Sequence, residues 1–340
     1  MISPVLPRTP PMLKLSILVF STITQLLTGS NCVSAASLEH SSVVFPPWSH
    51  GANNPALVKG VGFTVPEVEN LPDFHGNPIQ PSLVIFVGGN YFFAMAPLVA
   101  AFEQQYPNLK GKIFYETLPP GILAKQIEQG GTITVGNMSL TVHPDVFAAG
   151  LNRIETEIKD GFAVGPAIPY VTNDLTIMVP RNNPRHIARL ADLAKPGVRL
   201  SMPNPEFEGV ARQIKDALKK AGGEELARTV YETKVKSGET ILTQIHHRQT
   251  PLNLMQGKAD AAVTWKSEAI FQSKIGNPIT YVSIPESQNA TGTYAVAPIK
   301  NAPHPKEAQQ WIEFLKSPTA LEIFERFGFK AVPAGSSGKT

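Results

Sequence analysis

Between Leu83 and Gln105 the spacing of hydrophobic positions changes. Leu83 to Val87 is an unbroken apolar run, Gly88, Gly89 and Asn90 interrupt it, and Met95, Leu98, Val99 and Phe102 then recur at i, i+3, i+4 and i+7. The pattern predicts a buried strand, a glycine turn and an amphipathic helix. Pro97 suits a first helical turn and kinks an interior, so the helix is expected to start between Tyr91 and Ala96. Such a turn either closes a tight corner or aims backbone N–H groups and a positive helix end at one point, where an anion or polar ligand is favoured.

The alternation continues down the chain. Lys112 to Glu116 reads as a strand, Pro119 to Gly121 as a turn, Ile122 to Gln129 as a helix stopped by Gly130 and Gly131, Thr132 to Met138 as a strand, and Asp145 to Ile154 as a helix. Pro166 to Pro180 contains an apolar strand, Leu175 to Val179, that is expected to carry the chain from one lobe to another. A second set follows: helix 186–194, strand Val198 to Ser201, the loop Met202 to Gly209, helices 209–221, 224–232 and 249–256, and strand Ala259 to Trp265. Thr293 to Ala297 returns to the first lobe, and amphipathic helices Lys306 to Leu315 and Thr319 to Phe327 follow. Strands alternating with helices give βαβ units and a mixed, mainly parallel sheet, with ligands held outside strand C-termini. Asn90, Gly121 and Asn137 fall at such strand ends.

The expected fold is therefore α/β with two lobes, 83–171 plus 294–333 and 172–293, and a cleft between them. Its 340 residues exceed what one hydrophobic core commonly supports. Residues 37–82, rich in Pro, Gly and Asn, read as an extended arm with an edge strand within Val61 to Val68. Its Phe45, Trp48, Phe63 and Phe74 serve as packing anchors. Residues 1–36 have the basic start (Arg8, Lys14), apolar run (Leu15 to Leu27) and small-residue site (Val33-Ser34-Ala35) of an export signal cut after Ala35 or Ala36, with acylation at Cys32 as a lipoprotein alternative. Residues 334–340 form a polar tail, and Pro333 breaks the likeness of PAGSSGKT to a phosphate-binding loop.

Charge and cysteine use narrow the function. The chain has 30 Lys and Arg against 27 Asp and Glu, without a basic cluster, so a nucleic-acid partner is not indicated. The single cysteine, Cys32, is lost with the leader, which leaves no disulfide, thiolate ligand or thiol nucleophile and fits a periplasmic location. No GxSxG, HExxH or strand-following GxGxxG motif is present, so no enzyme is expected; Glu116, Glu208 and His247 form an acid/base set only if the fold unites them. His246-His247-Arg248 is the densest polar cluster. Adjacent histidines on a helix face apart, so no metal or cofactor is expected there, and the alternatives are a solvated turn or one His with Arg248 holding an oxyanion.

The segments VGGNYFFAM, LVAAFEQQYP, LAKQIEQGG, NDLTIMVPRNNP, LADLAKPGVRLSMPNP, QGKADAAVTWKSEA and AQQWIEFLKSPTALEIFERFGF resemble the molybdate-binding branch of the type 2 periplasmic solute-binding proteins of ABC importers over roughly Leu83 to Pro333. The resemblance implies a monomer that traps a small polar or anionic solute on hinge closure and delivers it to a membrane permease, or serves as a sensor subunit; a periplasmic hydrolase is the remaining alternative. It places the family's ligand-contacting positions at Asn90, at or near Gly121, at Glu208, near His247 or Arg248, and at Trp265. A carboxylate at Glu208 repels a dianion and Trp265 offers no hydroxyl, so a solute of mixed polarity or a singly charged oxyanion is expected in preference to molybdate.

Overall fold

The computed structural model describes residues 63–64, 72–135, 138–206, 208–244 and 246–332. The leader, Phe45, Trp48, Asn137 and the tail lie outside the described residues. Short β1 (Phe63–Thr64) pairs antiparallel with β2 (Pro72–His75), where the sequence reading had one edge strand. The apolar run becomes β3 (Leu83–Val87), buried throughout. Leu83, Ile85 and Val87 enter one hydrophobic core and Val84 and Phe86 the other, because alternate side chains leave opposite faces of a sheet covered on both sides.

A 3₁₀ turn at Gly89–Tyr91 leads into α1 (Phe92–Gln105). The helix starts at Phe92, within the range expected, and Pro97 sits inside it. β4 (Ile113–Glu116) and α2 (Pro120–Glu128) follow as the pattern predicts. Two assignments change. Thr132 to Met138 is not one strand: β5 (Thr132–Val135) and β6 (Met138–Thr141) form an antiparallel hairpin. Asp145 to Ile154 is not one helix: Val146 to Gly150 is a buried strand, β7, and only then does α3 (Leu151–Lys159) begin. A five-residue apolar run carries no helical period, and the place between β3 and a later strand decides it.

β8 (Ile168–Pro180) is the member shared by both halves of the sheet. The second half contributes β9 (Leu200–Met202), α4 (Val210–Arg228), β10 (Thr240–Leu242), α5 (Gln249–Met255), β11 (Ala261–Trp265), α6 (Lys266–Lys274) and β12 (Ile279–Ser283). The chain closes with β13 (Thr291–Pro298), α7 (Pro305–Leu315), α8 (Pro318–Glu325) and β14 (Lys330–Ala331). The expected helix 186–194 is absent: only a 3₁₀ turn at Leu190–Ala194 forms, since Asp192 draws the N–H groups of Ala188 and Arg189 onto its carboxylate. Gly222 and Gly223 leave helical geometry within α4, at the break the sequence placed between its helices 209–221 and 224–232.

The sheet runs β1-β2-β4-β3-β7-β13-β8-β11-β9-β10, with β12 and β14 paired to β8 off that path. Parallel pairs build the centre of each half, β3 with β4 and β7 and β9 with β10 and β11. The connecting strands run antiparallel. β8 changes partners within one residue, from Thr291 of β13 at Asp174 to Trp265 of β11 at Leu175. The side chains discussed next gather where these halves meet.

Candidate functional site

On the first half, the glycine turn is shaped by crowding. The N–H of Gly88 donates to the Ala148 carbonyl at 2.8 Å and that of Gly89 to the Leu118 carbonyl at 3.0 Å, so neither is offered to a ligand, as the turn alone had allowed. A Cβ on Gly89 would stand 2.4 Å from the Thr117 carbonyl oxygen and 2.9 Å from Nη2 of Arg248. Glycine is required because another part of the chain passes directly against the backbone.

Asn90 is buried, and its amide donates to the hydroxyl of Tyr294, at the irregularity in β13 where the register shifts between Tyr294 and Ala295. Tyr294 meets Tyr91 edge-on at 5.4 Å and Trp265 at 5.9 Å, while the hydroxyls of Tyr91 and Tyr170 lie 2.6 Å apart. Burial pushes the phenols of Tyr91, Tyr170 and Tyr294 up, which keeps them protonated as hydrogen-bond donors. Trp265 is itself buried against Gly292, where a Cβ would meet its ring at 2.4 Å, and is thus a packing residue of the site's wall. Gly121 lies exposed in the first turn of α2 with open space about it; its neighbour Pro120 borders Gly88.

On the second half, the charged groups are buried and paired. Glu208 accepts from the Asn204 N–H at 3.2 Å and from the Thr243 hydroxyl, and its other oxygen lies 3.1 Å from Nδ1 of His247. The Nε2 of His247 has no partner among the described residues. The rings of His246 and His247 lie 4.0 Å apart, tilted by 32°; burial, then the neighbouring His247 and Arg248, push the pKa of His246 well down, so it is neutral. Its Nδ1 accepts from the backbone N–H of Arg248 at 3.1 Å and from Nε of the same residue at 3.2 Å. The adjacent histidines thus have separate tasks: one fixes Arg248, the other meets Glu208.

Arg248 joins the halves. Its Nη2 donates to Asp73 of β2 at 2.9 Å and to the Thr117 carbonyl at 3.0 Å, while the guanidinium lies 4.9 Å over the ring of Phe92. The two charged side chains are 1% and 0% exposed. Such a pair holds only because each partner compensates the other in a poorly solvated place. The carboxylate facing Arg248 is therefore Asp73, while Glu208 meets His247. Glu268, in the first turn of α6, is pushed up by burial, with the hydrogen bond from Gln272 and the nearby His247 and Arg248 acting against it. Glu116 is fully buried, and burial raises its pKa well above the ordinary carboxylate range. It shares no hydrogen bond with Glu208 or His247, so the acid/base trio is not assembled among the described residues.

The halves bring Asn90 and Trp265 together through Tyr294, and Glu208, His247 and Arg248 into a second group that reaches the glycine turn. Gly121 remains at the rim and Asn137 lies outside the described residues. Asp73, Thr117, Tyr294 and Glu268 were not found from sequence. Tyr294 had a signal, a polar-tipped aromatic on an otherwise small apolar strand; Asp73 had none beyond the flanking Phe74. Among the described residues no group of three or more His, Cys, Asp or Glu is arranged to hold a metal ion, and no helix is long and apolar enough to cross a membrane. Chemically, the junction offers a fixed guanidinium and neutral N–H and O–H donors in a dry setting, which suits recognition of an oxygen-rich anion.

The molybdate-binding protein ModA of Mycobacterium tuberculosis is 24% identical over 251 residues, covering 73% of this chain and 84% of its own. A sulfate-binding protein of Synechococcus elongatus is 25% identical over 275 residues, covering 76% and 75%. Among solved structures, the sulfate-binding protein SubI of Mycobacterium tuberculosis superposes with a TM-score of 0.61 at 17% identity, covering 74% of this chain and 86% of its own. The fold is that of the type 2 periplasmic binding proteins. A family model described as bacterial extracellular solute-binding protein matches residues 83–330, and the chain belongs to that family.

Proposed function

We infer that this solute-binding protein captures a small oxyanion in a cleft between two lobes, 83–171 with 294–333 and 172–293, and delivers it to the membrane permease of an ABC importer. The observation that carries the reading is Arg248, a buried guanidinium oriented by His246 and facing Thr117 and the glycine turn across the junction. Asn90 and Tyr294 supply neutral polar groups nearby. The names of the molybdate- and sulfate-binding relatives support an oxyanion as the solute class.

The protein acts as a monomer in the periplasm, by binding and without turnover, and Cys32 is the point of attachment if it is held as a lipoprotein, as a Bacillus subtilis relative is named. The partner change of β8 at Asp174 and Leu175 is the natural hinge. Calorimetric titration with molybdate, sulfate, phosphate and perrhenate tests the reading. Saturable one-to-one binding of at least one of them is expected, and heat of dilution alone with all four contradicts it.

A further inference from the structure

The segment matched by the family model begins at residue 83, yet the carboxylate against Arg248 comes from β2, before that boundary. β2 adds to the sheet beside β4, with Phe74 opposite Glu116 and His75 opposite Tyr115. His75 stacks on Tyr115 at 4.5 Å, and Phe74 is buried in the core. Asp73 is fixed further by the Thr117 hydroxyl, which donates to it at 3.1 Å, and by its own carbonyl, which accepts from the Thr117 N–H at 2.9 Å. The added strand is thus anchored on both sides of one residue, and that residue places a negative charge against Nη2 of the junction's arginine.

We propose that Asp73 is a specificity-determining residue: a built-in anion that neutralises Arg248 and makes the site select singly charged oxyanions over dianions. The inference rests on the oxyanion reading above and narrows it. A dianion entering beside the pair adds two negative charges to a place where, among the described residues, the Asp73 carboxylate already faces the Arg248 guanidinium, and burial of uncompensated charge is strongly unfavourable. Displacing Asp73 offers no easy route, because the strand that carries it holds the carboxylate beside the guanidinium and so competes at high effective concentration. A monoanion adds half the charge and still takes hydrogen bonds from neutral donors such as the phenols and amide nearby. The neighbouring Glu116 and Glu268 add no attraction for a dianion.

Perrhenate and molybdate are tetrahedral oxyanions of similar size that carry one and two negative charges, so the pair isolates charge from shape. Calorimetry at pH 7.5 on the full chain should show perrhenate bound at least tenfold more tightly than molybdate. D73N should shift the ratio at least tenfold toward molybdate, with an unchanged circular dichroism spectrum as the check on folding. If D73N does not fold, the unmutated protein titrated with perchlorate and sulfate, a second tetrahedral pair that carries one and two negative charges, should show the same preference for the single charge. Molybdate bound as tightly as perrhenate by the unmutated protein overturns the proposal and leaves the oxyanion reading intact. An unchanged ratio in folded D73N, or sulfate bound as tightly as perchlorate, overturns it too. Binding of neither perrhenate nor molybdate by the unmutated protein overturns this inference, whereas the oxyanion reading falls only if sulfate and phosphate fail as well.

Discussion

The two sides of the junction solve the same problem with different chemistry. The first half meets it mainly with neutral groups from a contiguous strand, turn and helix, Gly89, Asn90 and Phe92, joined by Tyr294 from the returning strand, while Asp73 on β2 supplies the carboxylate for Arg248. The second half meets it with ionisable groups, Glu208, His246, His247 and Arg248, each buried and each held by a named partner. Neutral donors tolerate burial with modest loss, whereas buried charges depend on their partners. Perturbing the second side should therefore cost more than perturbing the first.

The largest effect is expected from Arg248→Ala. It leaves Asp73, 0% exposed, facing no guanidinium, and should lower unfolding free energy by about 3–5 kcal/mol in urea titrations. Adding Asp73→Asn to that variant should recover part of the loss; no recovery would mean the pair is not the source. On the neutral side, Gly89→Ala forces its Cβ toward the Thr117 carbonyl oxygen and Arg248, and about 1–3 kcal/mol is expected, read the same way. A loss as large as that of Arg248→Ala would erase the contrast between the two sides.

Glu116 sharpens the comparison as a second carboxylate, beside Asp73, buried on the first side. Burial raises its pKa most, the Gln126 amide counteracts, and the charge of Asp73 adds to the rise. The folded state thus holds a proton that the unfolded state releases earlier. Stability from this group is full below the ordinary carboxylate pKa and falls as pH rises from there toward the folded value. Glu116→Gln should match the wild type near pH 4 and become progressively more stable than it toward pH 8 in thermal melts; a constant difference across that range would refute the assignment. The smallest effect belongs to Gly121→Ala. Its Cβ meets open space in an exposed helical turn, so a change of at most about 1 kcal/mol, toward greater stability, is expected by urea titration.

The same contrast explains what could be read from sequence. β3 and its glycine turn were legible because a continuous apolar run marks a strand covered on both faces, and α1 because its core positions recur with helical spacing. β7 was not, since VFAAG is too short for periodicity to tell strand from helix. The helix expected over 186–194 failed because Asp192 satisfied backbone N–H groups in a turn. In the candidate site, Asn90 and Arg248 were singled out from local context and resemblance, and both lie at the junction. The partner of Arg248 was not, because Asp73 lies 175 residues away along the chain and on a four-residue strand without periodicity. Long-range pairing of buried charges leaves no local trace, so the turn was legible while the reason Gly89 lacks a side chain was not.

If one solute is held by both halves at once, hydrogen–deuterium exchange on the full chain, compared with and without saturating perrhenate, should slow both around residues 88–91 and 117–121 and around 246–249, with the β5–β6 hairpin unchanged. Protection confined to one of the two halves, or found in neither, would show that the solute does not bridge them.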